Sequence, residues 1–160
     1  MVRRTALLAV VAAVVMTTEL HAQDQVDMRG RTYVFLGFGD VWDVQALHIG
    51  AGGEGQLYKG LNLGAELGLI SVDSNIESVG LAELNGSYHF RGVTKSNKLV
   101  PFITGGPSLA IRYGVAPGFN VGGGFSYWFQ DRMGLRTEFR SHTFYALNEF
   151  RIALTFRGKP

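Results

Sequence analysis

The stretch Leu61-Asn62-Leu63-Gly64-Ala65-Glu66-Leu67-Gly68-Leu69 decides the fold. Apolar residues hold the odd positions, and small, polar or charged residues hold the even ones. A period of two marks a β-strand whose faces meet different environments. The same alternation returns in Asn120-Val121-Gly122-Gly123-Gly124-Phe125-Ser126-Tyr127 and in Phe150-Arg151-Ile152-Ala153-Leu154-Thr155-Phe156. No stretch carries a helical period of 3.6.

Working outward, the alternation predicts eight strands, over residues 32–39, 44–53, 60–71, 78–90, 99–113, 118–130, 133–141 and 149–157. Turn chemistry separates them: Gly39-Asp40, Asp73-Ser74-Asn75, Thr94-Lys95-Ser96-Asn97, residues 114–117 and Gln130-Asp131. The expected fold is all-β, a single eight-stranded antiparallel up-and-down transmembrane β-barrel. Two places read less cleanly. In strand one both Tyr33-Phe35 and Val34-Leu36-Phe38 are apolar, and Pro107 removes a ladder donor from strand five, which predicts a bulge or local break there.

The first residues read as an export signal. Arg3 and Arg4 precede an apolar run over residues 6–16, and residues 17–22 turn polar, so cleavage after Ala22 is expected. The run is shorter than the roughly 20 residues of a spanning helix. The expected organisation is a signal peptide over 1–22, a leader over 23–30, the barrel over 31–157 and a tail over 158–160. The formal net charge of +2 falls close to neutral once the signal is removed, which gives no footprint for nucleic acid. With no cysteine, disulfides and thiol chemistry are excluded.

An alternating barrel can turn its apolar face inward, as a soluble protein, or outward toward lipid. Lys59, Lys95, Lys98 and Lys159 all fall in predicted turns or the tail, whereas a soluble barrel spreads lysine along its water face. The non-apolar face is rich in Gly, Ala, Ser and Asn, as a narrow interior requires. Glu66, Glu83, Arg112, Arg136, Glu138, Arg140 and Arg151 fall on that small-residue face. Each Arg placed at mid-bilayer against lipid would cost about 2–4 kcal/mol. The charges are therefore expected in the lumen, neutralising one another as a plug. Trp42, Tyr58, Tyr88, Phe90, Tyr113, Phe119, Tyr127, Phe129 and Phe156 gather near strand ends as girdles would, while alternation turns Trp128 inward.

These features resemble the small outer-membrane β-barrel family of Gram-negative bacteria, the OmpA transmembrane-domain and OmpX type. The residues that carry the resemblance are Pro101-Phe102-Ile103-Thr104-Gly105-Gly106, Gly122-Gly123-Gly124-Phe125 and Asp131-Arg132-Met133-Gly134-Leu135-Arg136-Thr137-Glu138. The last strand, with Phe150, Ile152, Leu154 and Phe156 on one face, resembles the signal read by the family's insertion machinery, although Arg157-Gly158-Lys159-Pro160 follow the final aromatic. The resemblance implies location in the cell outer membrane, contact with its lipids and with that machinery during assembly, and a structural or surface-interaction role. The peptidoglycan-binding domain of full-length OmpA proteins is not expected.

Catalysis, metal and cofactors are not expected. Ser141-His142 with Glu138 is the nearest local approach to a nucleophile–base set, but strand neighbours point to opposite faces. His48, His89 and His142 have no ligand spacing, and the glycine runs are followed by no helix. The apolar loop residues Phe144, Tyr145 and Leu147 are the candidate contact for a surface partner or lipid, the alternative being a loop tip that rests on the barrel rim. The rival readings are an outer-membrane lipid-modifying enzyme, a soluble periplasmic ligand-binding barrel and a narrow channel.

Overall fold

The computed structural model describes residues 30–41, 44–72, 77–144 and 146–158. The expected signal peptide, the leader up to residue 29, Trp42, Tyr145 and residues 159–160 lie outside the described residues. The strands are β1 (Arg31–Val41), β2 (Val44–Tyr58), β3 (Leu61–Val72), β4 (Glu77–His89), β5 (Leu99–Ile111), β6 (Val115–Trp128), β7 (Met133–His142) and β8 (Asn148–Arg157). Each pairs antiparallel with its sequence neighbours, and β1 closes on β8 from Arg31↔Arg157 to Asp40↔Asn148. Closure leaves no free edge, so every strand finds a ladder on both sides.

The faces sort as alternation demands. Leu63, Phe125 and Leu154 point outward with 55%, 52% and 44% of their surface exposed, whereas Glu66, Arg136 and Arg140 are 3%, 4% and 0% exposed. Leu63, Phe125 and Leu154 thus share no interior, and charges fill the middle of the barrel. In β8, Glu149, Arg151, Ala153 and Thr155 are buried while Phe150, Ile152, Leu154 and Phe156 are exposed. The double apolar pattern of β1 resolves the same way. Val34, Leu36 and Phe38 face out, while Tyr33 and Phe35 are buried beside Ala153.

Inward glycines make this filling possible. A Cβ on Gly52 would lie 2.7 Å from Glu66 Cγ, 2.9 Å from the Ala65 carbonyl and 2.9 Å from the Tyr33 ring. At Gly106 a Cβ would run into the Leu84 carbonyl, so β5 and β4 approach closely beside Pro107. The pairing of β4 with β5 lapses there, between Glu83↔Ser108 and Gly86↔Gly105, with the register unchanged across the gap. Pro107 therefore breaks the ladder locally, as expected from its missing N–H, without the extra residue of a bulge.

One end of the barrel is closed by apolar residues. Val41, Ala46, Ile70, Val79, Leu81, Ala110, Phe144 and Leu147 form a buried cluster, with Val72 and Ala116 packed against it. This corrects the expectation for Phe144 and Leu147 as surface contacts. The β7–β8 loop folds them over the barrel mouth, against Val41, Ile70 and Leu81. Thr143 pins the turn, its hydroxyl accepting from Phe119 N at 2.9 Å, and Ala146 turns the chain back at φ 47°.

Leu147→Ala is expected to cost about 2–5 kcal/mol through the cavity it leaves. Ala146→Gly is expected to stabilise, since glycine adopts the left-handed conformation without steric cost. Urea unfolding midpoints of the folded barrel check both.

Candidate functional site

The site is the lumen itself, built because alternate residues of every strand point inward. In β3 and β4, Glu66 and Glu83 are direct register partners, an arrangement that is destabilising when nothing separates the like charges. Arg140 of β7 answers both. Its Nη1 donates to Glu66 Oε2 at 2.9 Å and to Glu83 Oε2 at 2.6 Å, and its Nη2 donates to Glu66 Oε1 at 2.9 Å. Its Nε donates to Glu138 Oε1 at 2.5 Å. One guanidinium therefore holds three carboxylates, using the fork geometry that lysine lacks.

The other charges extend this centre along the axis. Arg151 of β8 donates from Nη1 to Glu66 Oε2 at 2.8 Å and lies over the Phe35 ring at 3.9 Å. Arg136 donates from Nε and Nη2 to Glu138 Oε2 at 3.2 and 3.1 Å and lies over Phe102 at 3.8 Å. Neutral donors complete the carboxylates. Tyr33 Oη donates to Glu66 at 2.8 Å, Asn85 Nδ2 to Glu66 at 3.1 Å and Ser108 Oγ to Glu83 at 2.9 Å. A gap of about 10 Å³ remains between Tyr33, Phe35, Arg136, Glu138, Arg151 and Ala153. That is at the lower limit for one water molecule.

Two further clusters flank the centre. Toward the apolar lid, Glu149 lies 2.9 Å from His48 Nδ1, 3.0 Å from His142 Nε2 and 2.9 Å from Arg151 Nε. Toward the opposite end, Glu54 lies 3.1 Å from Arg31 Nη1 and 2.9 Å from His89 Nε2, and accepts from Ser87 Oγ at 2.8 Å. Among the described residues the buried set is five glutamates, four arginines and three histidines.

Of the seven charges placed in the lumen from sequence, Glu66, Glu83, Arg136, Glu138, Arg140 and Arg151 are buried and joined there. Arg112 is not. It follows the end of β5, is exposed, and sits over the ring of Tyr113 at 5.0 Å. Strand five ends at Ile111 rather than Tyr113, so the alternation has no hold on residue 112. Sequence reasoning left out Arg31, Glu54 and Glu149, with the carboxylate-bound role of the three histidines. Glu54 was legible: it continues the inward parity of Ala46 and His48 once β2 runs on to Tyr58.

Ser87 Oγ lies 3.3 Å from His89 Nε2, but both are buried against Glu54 and away from the outer surface. His142 is buried inward while Ser141 lies on the other face of β7, and among the described residues no group of three or more His, Asp or Glu has metal-binding geometry.

Replacing Arg140 by Met keeps the stem and deletes the charge, leaving Glu66, Glu83 and Glu138 short of their shared partner. A loss of about 3–5 kcal/mol is expected. Adding Glu83→Gln to Arg140→Met is expected to recover part of it, and Arg112→Gln is expected to cost far less than Arg140→Met, since Arg112 is exposed. Denaturant titration of the four proteins side by side checks this.

No protein-family model matches the chain, and no curated protein matches it in sequence. Solved structures do. The N-terminal β-barrel domain of Pseudomonas aeruginosa OprF superposes with a TM-score of 0.65 at 15% identity, over 84% of this chain and 100% of that one. A de novo designed transmembrane β-barrel gives 0.64 at 18% identity, over 85% and 100%. Neisserial surface protein A gives 0.55 at 11% identity, over 82% and 96%. These likenesses establish the fold, a small eight-stranded up-and-down barrel of the kind seen in OprF and Neisserial surface protein A.

Proposed function

We propose that the chain is an integral outer-membrane β-barrel with a structural or surface-interaction role, closed to ion flow and without a catalytic site. The observation that carries this reading is the inside-out distribution of polarity. A continuous apolar sheath, including Leu36, Ile49, Leu67, Val121, Phe139 and Ile152, surrounds a core of paired ions. In water such a sheath is an aggregation hazard, while in hydrocarbon it is the stable solution. The strands run from 10 to 15 residues, enough to cross a bilayer at a tilt.

The ends support the same placement. Tyr58, Tyr127, Phe129 and Phe156 are exposed near one rim and Tyr113 and Phe119 near the other, the positions of two interfacial girdles. Lys59, Lys95 and Lys98 lie in turns beyond them. The ion-pair plug and the apolar lid together block a conducting path, so the role rests on the barrel's presence and its outer surface. A catalytic role in lipid turnover would need polar groups at the sheath, and the paired His and Glu side chains described above are inside.

The protein is expected to stay in the membrane pellet through alkaline carbonate and to migrate faster unboiled than boiled. Ile152→Arg, on the sheath, is expected to cost about 2–4 kcal/mol in lipid vesicles. In planar bilayers no stepwise conductance is expected. Release into the carbonate supernatant, with no heat-dependent shift, would overturn the reading.

A further inference from the structure

The two ends of the lumen differ in kind. One is sealed by the Phe144–Leu147 lid, and the other holds a cavity of about 450 Å³ at the starts of β1 and β5 and the ends of β6 and β8. Arg31, Arg91, Lys98 and Arg157 line it, with Trp128 from β6 and with Asp131 as the acidic group in its lining. Trp128 fixes two of the cations. Arg157 lies 3.7 Å from its ring centroid and Arg31 5.9 Å, so the indole holds guanidiniums beside the cavity. Arg91 donates to Gln56 Oε1 at 2.6 Å, and Gln56 Nε2, buried, has no acceptor. Glu54, the closest lumen carboxylate to Arg31 at 3.1 Å, is shared with His89 at 2.9 Å and with Arg136 at 3.6 Å. Among the described residues that line this mouth, four are cationic and one is acidic.

We propose that this vestibule binds a small soluble phosphate-bearing anion, of the size of a diphosphate or a sugar phosphate. Arginine forks match phosphate oxygens in pairs, and the volume falls within the usual range of about 300–1,000 Å³ for small-molecule sites. A bilayer phosphate is the weaker candidate. The vestibule is lined by the inward residues Arg31, Val100 and Trp128, and a headgroup would have to lift its chains over the turns at 90–98 and 129–132.

The test uses the full protein extracted in zwitterionic detergent, with Trp42→Phe so that Trp128 is the remaining fluorophore, titrated with pyrophosphate. A saturable change in emission is expected. Arg91→Gln with Lys98→Gln is expected to weaken binding at least about tenfold, since two charge-assisted contacts are lost. Asp131→Asn is expected to bind at least as tightly as the parent. Lys98→Gln alone, an exposed turn residue, is expected to weaken binding about threefold and carries the test if the double variant does not fold. The proposal is overturned by no saturable change, by an equal change with sodium chloride at matched ionic strength, or by unaltered affinity in the folded variants. A response to phosphatidylglycerol nanodiscs that pyrophosphate does not compete with would also overturn it.

Discussion

Arg140 holding Glu66, Glu83 and Glu138 is the interaction on which the rest of this barrel depends. The sheath takes most large apolar side chains outward, so the middle of the interior is filled by ion pairs with Tyr33, Phe35 and Phe102 packed among them. Most of the lumen centre is polar, and polar groups away from water must be satisfied by one another. Arg140 does this across three strands at once, joining β3 and β4 to β7 through side chains where the backbone ladder links only neighbours. Buried ion pairs add little net stability over an apolar core, but breaking one is costly. The network therefore acts chiefly on register. A slip of one residue between strands would turn Glu66 or Arg140 to the outside and strand its partners within.

The same economy of space explains the glycines. Tyr33 reaches Glu66 because Gly52 stands beside it without a Cβ. On the lid side, a Cβ on Gly37 would lie 2.5 Å from the Glu149 carboxylate and 3.3 Å from His48 Cβ. Large charged residues and glycines on the inward face are thus two halves of one packing solution. An eight-strand interior is just wide enough for side chains, and each arginine occupies room that a neighbouring strand gives up.

Much of this was legible in the alternation. β3, β6 and β8 pair large outward residues with small or charged inward ones, and six of the seven charges named from that pattern meet in the lumen. β1 was ambiguous because its inward residues are aromatic. Tyr33 and Phe35 serve the polar core as a hydrogen-bond donor and as a ring beneath Arg151, roles that hydrophobicity alone does not separate from Leu36 and Phe38. β2 was read too short because glycines at 50, 52, 53 and 55 resemble a turn, which hid Glu54 and Gln56. Arg112 was misplaced for the converse reason, a strand read two residues too long. Phe144 and Leu147 were assigned to the surface because they lie in a loop. Their burial follows from a tertiary need, the covering of a barrel end, that local pattern does not encode.

The asymmetry of the two ends follows from the chemistry of closing each one. At the lid, apolar groups from β1 to β5 and the β7–β8 loop meet over Glu149, whose charge is met by His48, His142 and Arg151 before the lid begins. At the vestibule no comparable lid forms among the described residues. The turns there carry Arg91, Lys98 and Asp131, and β1 and β8 contribute Arg31 and Arg157 around Trp128. The turn residues Lys98 and Asp131 of this mouth are exposed and keep their hydration, whereas an uncovered Glu149 cluster would admit water into the ion-pair centre and screen it. The apolar lid therefore protects the network from one side. From the other, Glu54 with Arg31, Arg136 and His89 forms the last dry layer before solvent.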